Sequence, residues 1–403
     1  MSIGRIEEYL EGKRWEYLTA SKKQKGRVLD EVCQALHYHR KAAVRTLRRK
    51  PEDVPRRSGR PRQYGVPVIS ALHRVWEASD QLCGKLLAPF LSELVPTLER
   101  CGELTISEEV REQLLRMSAA SIDRHMQPYR LVRGRRPYRP SPAPDSVKAR
   151  VPVRTFGEWA GVQPGSVQGD LVLHCGSTVA GFFLTTLLTV DVATGWTECE
   201  PIWGLGKQRV GGGLDQIRRR LPIQLREFHS DNGSEFLNQL LLTYSQRLGI
   251  KLSRGRPYKK NDQAYAEQKN WLVVRRFVGY DRYSSRAAYE KLGELYQLLR
   301  LYLNFFQPMR KLVTKERIGA KVRKVYDQAA TPYQRMLASG VLTAAERSRL
   351  TRLYPMLNPL DLRAKIESVL QQLAQTKELP STARRQVPSG RAEAIGIKPP
   401  IPR

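Results

Sequence analysis

Residues 228–236 have the sequence FHSDNGSEF, which combines a strand end, a turn and a helix start around one carboxylate. Apolar residues from Leu225 onward predict a strand that ends at Ser230. Asp-Asn-Gly then favours a tight turn, and Ser234 opens a predicted helix. Asp231 is thereby left at the end of a strand, where ligand sites gather in α/β sheets. This carboxylate is a candidate functional residue.

Two further carboxylates stand in comparable segments, Asp170 in VQGDLVLH (167–174) and Glu267 in KKNDQAYAEQKN (259–270). Asp170 interrupts a predicted apolar strand, and Glu267 lies in a helix predicted to begin at Asn261, with thirty-five residues between it and Asp231. Neighbouring ionised carboxylates are costly to bury unless a cation holds them together. Oxygen-only ligands suit Mg²⁺ or Mn²⁺, and paired ions serve phosphodiester chemistry. We therefore predict that Asp170, Asp231 and Glu267 are catalytic residues that bind two metal ions.

Each of these residues also has an ordinary structural explanation. Asp170 can begin its strand at the solvated rim of the sheet, and Asp-Asn-Gly alone is a good loop. An isolated glutamate on a helix, such as Glu267, is usually a solvated side chain. Asp191, which ends the next predicted strand, is explained by the turn at Thr194-Gly195. The functional interpretation depends on the three carboxylates acting together.

Around these residues the pattern predicts an α/β core over residues 156–307. The predicted strands are 167–174, 182–191, 196–201, 225–230 and 250–253, and the predicted helices are 207–220, 234–248, 261–278 and 287–306. The order β-β-β-α-β-α-β-α predicts a mixed sheet with helices packed on it. Residues 308–377 form a C-terminal region with a strand near 321–327 and a helix at 359–375, and 378–403 are predicted to be disordered.

The N-terminal region, residues 1–50, is predicted to be helical and to bind DNA. Ser21 can cap a helix that places Val28, Leu29, Val32 and Leu36 at helical spacing, and a break at His37–His39 precedes a basic helix at 40–49. This pattern is typical of a helix-turn-helix, whose second helix enters the major groove. A helical hairpin with a solvated basic face is the alternative. The predicted DNA contacts are Arg40, Lys41, Arg45 and Arg48.

Two basic linkers surround a second helical block, residues 68–130. The linker 51–67 contains Arg60 and Arg62 in a Ser-Gly-Arg-Pro-Arg stretch that suits a narrow minor groove, although an ordinary charged tether fits equally well. The block itself ends in two short predicted helices, with Arg124 exposed, and this pair predicts a possible second helix-turn-helix that binds DNA. The linker 131–155 adds Arg133, Arg135 and Arg136, and its extended basic character suits a phosphate backbone.

Composition supports a polyanionic partner. The formal net charge is +30, distributed as +13 over residues 1–155, +5 over 156–307 and +12 over 308–403. A nearly balanced centre between basic flanks is typical of a catalytic domain with nucleic-acid-binding arms. The five cysteines lack a CxxC pair and the six histidines lack zinc-finger spacing, so neither disulfides nor a structural zinc is expected. No membrane-spanning run or signal peptide is expected, which predicts a cytoplasmic protein.

The element order, the SDNGSEF segment and the final glutamate resemble the DDE catalytic core of retroviral-type integrases, and most closely that of bacterial insertion-sequence transposases. KKNDQAYAEQKNW (259–271), GAKVRKVYD (319–327) and TPYQRML (331–337) also resemble one such transposase group. The resemblance implies a ribonuclease-H-like fold with Asp170, Asp231 and Glu267 as the metal-binding triad. Lys259, Lys260 and Lys269 lie beside the glutamate and are expected to contact phosphates.

The resemblance implies a DNA transposase that binds terminal inverted repeats, cleaves the 3′ ends and joins them to target DNA. Two element ends are processed together, so a homodimer or higher oligomer on double-stranded DNA, at the bacterial nucleoid, is expected. Three alternatives stay open: a hydrolytic nuclease or resolvase of the same fold, a transposase-derived DNA-binding regulator with a silent core, and a non-catalytic RNA-binding protein.

Overall fold

A computed structural model describes residues 3–48, 63–130, 150–159, 161–257, 260–319 and 321–378. The chain divides into two compact units, residues 1–65 and 66–403. Each unit has its own buried apolar residues. Within the described ranges no helix is long and apolar enough to cross a membrane.

The first unit contains three helices, α1 (Ile3–Thr19), α2 (Lys22–Leu36) and α3 (Arg40–Arg48). A capping box between Ser21 and Gln24 starts α2, and His37 ends it in the left-handed conformation. The three helices enclose a core of Leu10, Tyr17, Val28, Leu29, Val32, Ala43 and Leu47. The predicted helix pair is confirmed, and α1 completes the core that the pair could not close alone.

The second unit begins with four helices, α4 (Val66–Ala78), α5 (Gly84–Arg100), α6 (Glu108–Leu115) and α7 (Ala119–Met126). They pack in the same unit as the sheet. Asp80, between α4 and α5, forms ion pairs with Arg276 and Arg363, and Tyr302 donates a 2.8 Å hydrogen bond to the carbonyl of Ala78. These contacts hold the helical block against the elements that follow the sheet.

The central sheet has five strands in the order β3-β2-β1-β4-β5. They are β1 (Ser166–Leu173), β2 (Thr185–Asp191), β3 (Thr197–Ile202), β4 (Glu227–Ser230) and β5 (Lys251–Arg254). β1, β2 and β3 are antiparallel neighbours, whereas β4 and β5 run parallel to β1. The mixed sheet predicted from the sequence is confirmed. Its strand boundaries differ from the predicted ones by only a few residues.

Helices cover the sheet, and two of them begin later along the chain than predicted. They are α8 (Lys207–Arg220), α9 (Gln239–Arg247), α10 (Ala264–Lys269) and α11 (Arg286–Phe306). The helix predicted to open at Ser234 begins instead at Gln239, because Asn238 caps it by accepting a 3.0 Å hydrogen bond from the Leu241 N–H. The turn after Asp231 is therefore longer than expected.

Beyond α11 lie a hairpin and three helices. The hairpin consists of β6 (Leu312–Ile318) and β7 (Lys321–Tyr326), and the helices are α12 (Pro332–Ala338), α13 (Ala344–Leu353) and α14 (Pro359–Gln375). The predicted strand near 321–327 and the predicted helix 359–375 are both confirmed. Phe305, Tyr333 and Tyr354 stack where α11 meets these helices, and Leu362, Ile366 and Val369 of α14 join the same core.

Candidate active site

Asp170 lies on β1, and Asp231 directly follows the last residue of β4, the strand that runs parallel to β1. In the β1–β4 pairing, Gln168 is the partner of His229, and two more residues along each strand lead to Asp170 and Asp231. Paired strands are about 4.8 Å apart. Two carboxylates that the sequence separates by sixty residues are thus neighbours at one edge of the strands.

The backbone around Asp170 is fixed by a close approach between β1 and β4. A Cβ on Gly169 would lie 2.4 Å from the ring of Phe228, so only glycine permits this contact. Side chains alternate along a strand, so Gln168 and Asp170 share the face opposite to that contact. Asp170 therefore faces the helix that contains Glu267.

Asp170 is half-buried and its carboxylate is held by two hydrogen bonds. Asn270 Nδ2 donates to Oδ2 at 2.8 Å, and the Leu171 N–H donates to Oδ1 at 2.9 Å. Burial raises the pKa of Asp170 to about 6; the bond from Asn270 opposes the rise, and the negative charges of Asp231 and Glu267 add to it. Asp231 and Glu267 are therefore close enough to affect the ionisation of Asp170.

Asp231 is positioned by the turn that follows β4. Its Oδ1 accepts a 2.9 Å hydrogen bond from the Gly233 N–H, while Asn232 donates to the carbonyl of Gly255 at 2.9 Å and accepts from Arg254 at 3.0 Å. Burial raises the pKa of the Asp231 carboxyl. The turn is thus anchored to the end of β5, and the carboxylate cannot swing freely.

Glu267 lies in the first turn of α10, which does not begin at Asn261 as predicted. A 3₁₀ turn occupies Lys260–Gln263, and α10 starts at Ala264. Gln168 on β1 supplies the reason, because its Oε1 accepts from the N–H groups of Tyr265 and Ala266 at 3.2 Å each. A strand side chain thereby caps the helix and fixes Glu267 relative to Asp170.

The same helix continues as a π-helix over Asn270–Arg275. Such π segments are frequent at functional sites. Here the π segment begins at Asn270, the residue that donates to Asp170, and Gln263 donates from the other side to the Gly169 carbonyl at 2.8 Å. Gln263 and Asn270, which lie before and after Glu267 in the chain, both bond to β1.

Glu235 is a fourth carboxylate that the sequence analysis did not assign to the site. A Cβ on Gly233 would lie 2.8 Å from Glu235 Oε2 and 2.9 Å from Asp231 Oδ1, so both carboxylates lie against this glycine. Burial, and then the charge of Asp231, raise the pKa of Glu235. The only sequence signal was its position four residues after Asp231.

The acidic side chains form an open arrangement. Across the residues that the structure describes, no three His, Cys, Asp or Glu side chains lie close enough to hold one metal ion as they stand. Asp170 and Asp231 each accept hydrogen bonds from neighbouring groups, and Glu267 is exposed on its helix. One shared cation would therefore require the acidic side chains to move closer together.

The predicted DNA contacts fall into three groups. Lys41, Arg45 and Arg48 are exposed on α3 and Arg124 is exposed on α7, while Arg40 forms an ion pair with Asp30. Arg60, Arg62, Arg133, Arg135, Arg136 and Lys259 lie outside the described residues, and for Lys260 only the backbone is described.

Lys269 requires a correction. Its side chain is only 7% exposed, in the interior near Cys199, and burial lowers its pKa to about 8. Two residues along a helix rotate a side chain by about 200°. Lys269 thus faces away from the side on which Glu267 lies, and it is removed from the predicted phosphate contacts.

Comparison with known proteins finds similarity to a family model, to a bacterial protein and to solved structures. The model of the integrase core domain matches residues 163–260, which include Asp170 and Asp231 but not Glu267. The uncharacterized protein y4rM of Sinorhizobium fredii is 42% identical over 319 residues, covering 79% of this chain and 91% of y4rM. The catalytic core domain of BIV integrase is 21% identical, covers 43% of this chain and 95% of its own, and has a TM-score of 0.28.

Proposed function

The chain belongs to the same family as the rhizobial protein y4rM and carries an integrase core domain, and from this premise we propose that it is a DNA transposase. The single observation that carries the proposal is the juxtaposition of Asp170 on β1 with Asp231 at the end of the parallel strand β4, with Glu267 close enough to raise the pKa of Asp170. Paired acidic residues of this kind suit phosphodiester cleavage and joining. A structural role could explain one of these carboxylates, but it would not explain all three.

Double-stranded DNA is the proposed substrate, with terminal inverted repeats bound by the N-terminal residues. The net charge of +30 favours a polyanion. α2 and α3 have the lengths and order of a helix-turn-helix, and α3 exposes Lys41, Arg45 and Arg48. α6 and α7 form a second pair, with Arg124 exposed. A homodimer or larger assembly on two element ends, in the bacterial cytoplasm at the nucleoid, completes the proposal.

The donor set fits a hard divalent cation. Asp170, Asp231 and Glu267 offer only carboxylate oxygens, and burial together with mutual repulsion raises the pKa of Asp170, a cost that a cation would remove. These residues would hold Mg²⁺ or Mn²⁺, two ions per site. Bound ions would supply Lewis-acid activation of the attacking oxygen and stabilisation of the leaving 3′ oxygen.

The chain's own residues position this chemistry. Asn270 holds one oxygen of Asp170, the Gly233 N–H holds one oxygen of Asp231, and Gln168 fixes the start of the helix that contains Glu267. Water performs the cleavage and the released 3′-OH attacks target DNA in line, so no serine or tyrosine nucleophile is assigned. Each carboxylate thus acts from a fixed backbone position.

A strand-joining assay tests the proposed function. The full-length protein is incubated with Mg²⁺, labelled DNA that ends in the flanking repeats of the native gene, and a supercoiled target. A transposase yields labelled 3′ ends covalently joined to the target. Hydrolysis without joining would identify a nuclease, and binding without either product would identify a silent regulator.

Asn270→Leu is expected to weaken activity without abolishing it. The change removes the amide that orients Asp170, and loss of a residue that orients a metal ligand typically costs about 10–100-fold in metal affinity or activity. The Mg²⁺ concentration for half-maximal joining should rise accordingly. Gln268→Leu, an exposed neighbour on the same helix, serves as the control. Wild-type Mg²⁺ dependence in N270L would remove the positioning role from Asn270.

A further inference from the structure

The β6–β7 hairpin is exposed on both faces. Every described side chain from Val313 to Gly319 and from Lys321 to Tyr326 is exposed, and the fractions for Val313 and Ile318 are each 62%. Over the described part of the chain, the two strands pair with each other and not with the five-stranded sheet. An isolated two-stranded hairpin is at best marginally stable in water. A hairpin that is exposed in this way would be stabilised by binding to a partner.

The root of the hairpin, where its two strands join the rest of the unit near Lys311 and Asp327, is nevertheless held in place by hydrogen bonds. Arg335 binds Asp327 through two hydrogen bonds, at 2.6 and 3.1 Å, and the Lys311 N–H donates to the same carboxylate at 2.6 Å. Met309 and Ala330 pair just outside the strands through backbone bonds of 3.0 and 3.2 Å. Because the root is fixed and the strands are exposed, the hairpin is a projecting arm.

The arm carries a concentrated, unneutralised positive charge. Its strands contain five basic residues and one acidic residue. Among the described residues, none of these five forms an ion pair, and Lys315 stands directly opposite Lys324 in the register. Like charges directly opposite on a strand pair are destabilising. An external polyanion would relieve this repulsion.

The two faces of the arm differ in charge. Cross-strand partners and alternate residues share a face, so Lys315, Arg317 and Lys324 lie together with Val322. We call this the basic face. The opposite face carries Lys321 and Arg323 but also Glu316. The basic face therefore has three cations and no anion, whereas the opposite face is nearly balanced.

We propose that the hairpin is a DNA-binding arm whose basic face lies against the phosphates of duplex DNA. A two-stranded ribbon fits the major groove, which is about 12 Å wide. A second copy of this chain is a poorer occupant, because each copy has a net charge of +30 and an equally basic arm. The inference rests on the proposed function only in taking DNA as the substrate. It assigns a contact outside the N-terminal helices.

The test measures binding of the full-length protein to a random-sequence duplex, by fluorescence anisotropy in EDTA across a range of salt concentrations. The triple variant K315Q/R317Q/K324Q removes the cations of the basic face. Each lost phosphate contact should reduce the salt slope of log K by about 0.9, and three contacts by about 2.7. The matched control R349Q/R352Q/K365Q removes three exposed cations from α13 and α14.

The proposal expects a reduced slope and weaker binding in the basic-face variant, with the control close to wild type. Equal binding by the basic-face variant and wild type, or an equal loss in the control, overturns it. A change in oligomeric state of the DNA-free variant by light scattering, with DNA binding intact, also overturns it and assigns the arm to copy–copy contact. Circular dichroism verifies folding. Because the assay contains neither metal nor joining, its outcome is independent of the strand-joining result.

Discussion

Asp231→Asn is expected to abolish strand joining while leaving the protein folded and bound to DNA. The substitution keeps the size of the side chain and an oxygen for the Gly233 N–H, but it removes the charge that a divalent cation needs. Metal-ion catalysis supplies several kcal/mol of transition-state stabilisation. At about 1.4 kcal/mol per tenfold in rate, joining should fall by about a thousandfold or more. Glu267→Gln should have a similar effect.

The control for this prediction is Asp281→Asn. Asp281 is an exposed carboxylate with only a 3.9 Å contact to Lys377, so its neutralisation should leave joining near the wild-type rate. The unfolding temperature of the metal-free D231N protein should be no lower than that of wild type, because burial disfavours the ionised aspartate. Wild-type joining by D231N would refute the assignment of the triad.

Removal of divalent metal is expected to eliminate both cleavage and joining. Chelation with EDTA should reduce product to background, and added Mg²⁺ or Mn²⁺ should restore it, because oxygen-only ligands favour these ions. Binding to duplex DNA should persist in EDTA, since it depends on Lys and Arg. Activity that survives exhaustive chelation would exclude the metal-dependent mechanism.

The metal requirement should also depend on pH in a defined direction. In the metal-free protein the pKa of Asp170 is raised to about 6, first by burial and then by Asp231 and Glu267. A protonated carboxyl is a poor ligand, so protons compete with the cation below this pH. The Mg²⁺ concentration for half-maximal joining should therefore rise as pH falls through about 6 and vary less above it. A requirement that is flat across this range would show that Asp170 is not a ligand.

The sequence predicts the sheet well because its strands obey simple local rules. The apolar segments around Asp170 and before Asp231 end at polar or turn residues, and the structure places strand boundaries near those positions. The parallel neighbours β1 and β4 then bring the two aspartates level. The proximity of Asp170 and Asp231 therefore follows from the fold class, provided that the strand order is known.

Three features depended on tertiary contacts that local patterns do not encode. The N-terminus of α10 is set by Gln168, which lies almost a hundred residues earlier in the chain. The π segment at Asn270 has no simple sequence signature. Lys269 is buried because its face of the helix packs on the sheet. Its position two residues after Glu267, about 200° around the helix axis, was the one local indication that the two side chains point in different directions.

Helix α1 shows a different limitation. Its apolar residues, which include Ile6, Leu10 and Trp15, are dispersed among charges, and Trp15 is 75% exposed. No narrow apolar stripe marks such a helix. The helical pair that follows it has the expected stripe, and the pattern therefore predicted two of the three helices that close the N-terminal core.

The most direct test of the central claim is the position of bound metal. Crystals of the protein with end DNA and Mn²⁺ should show anomalous peaks between the carboxylates of Asp170 and Asp231, with Glu267 turned toward them and metal–oxygen distances of about 2.0–2.2 Å, as for a small hard cation. The D231N protein should lose these peaks. Mn²⁺ bound elsewhere, with these carboxylates free of metal in an active complex, would contradict the account.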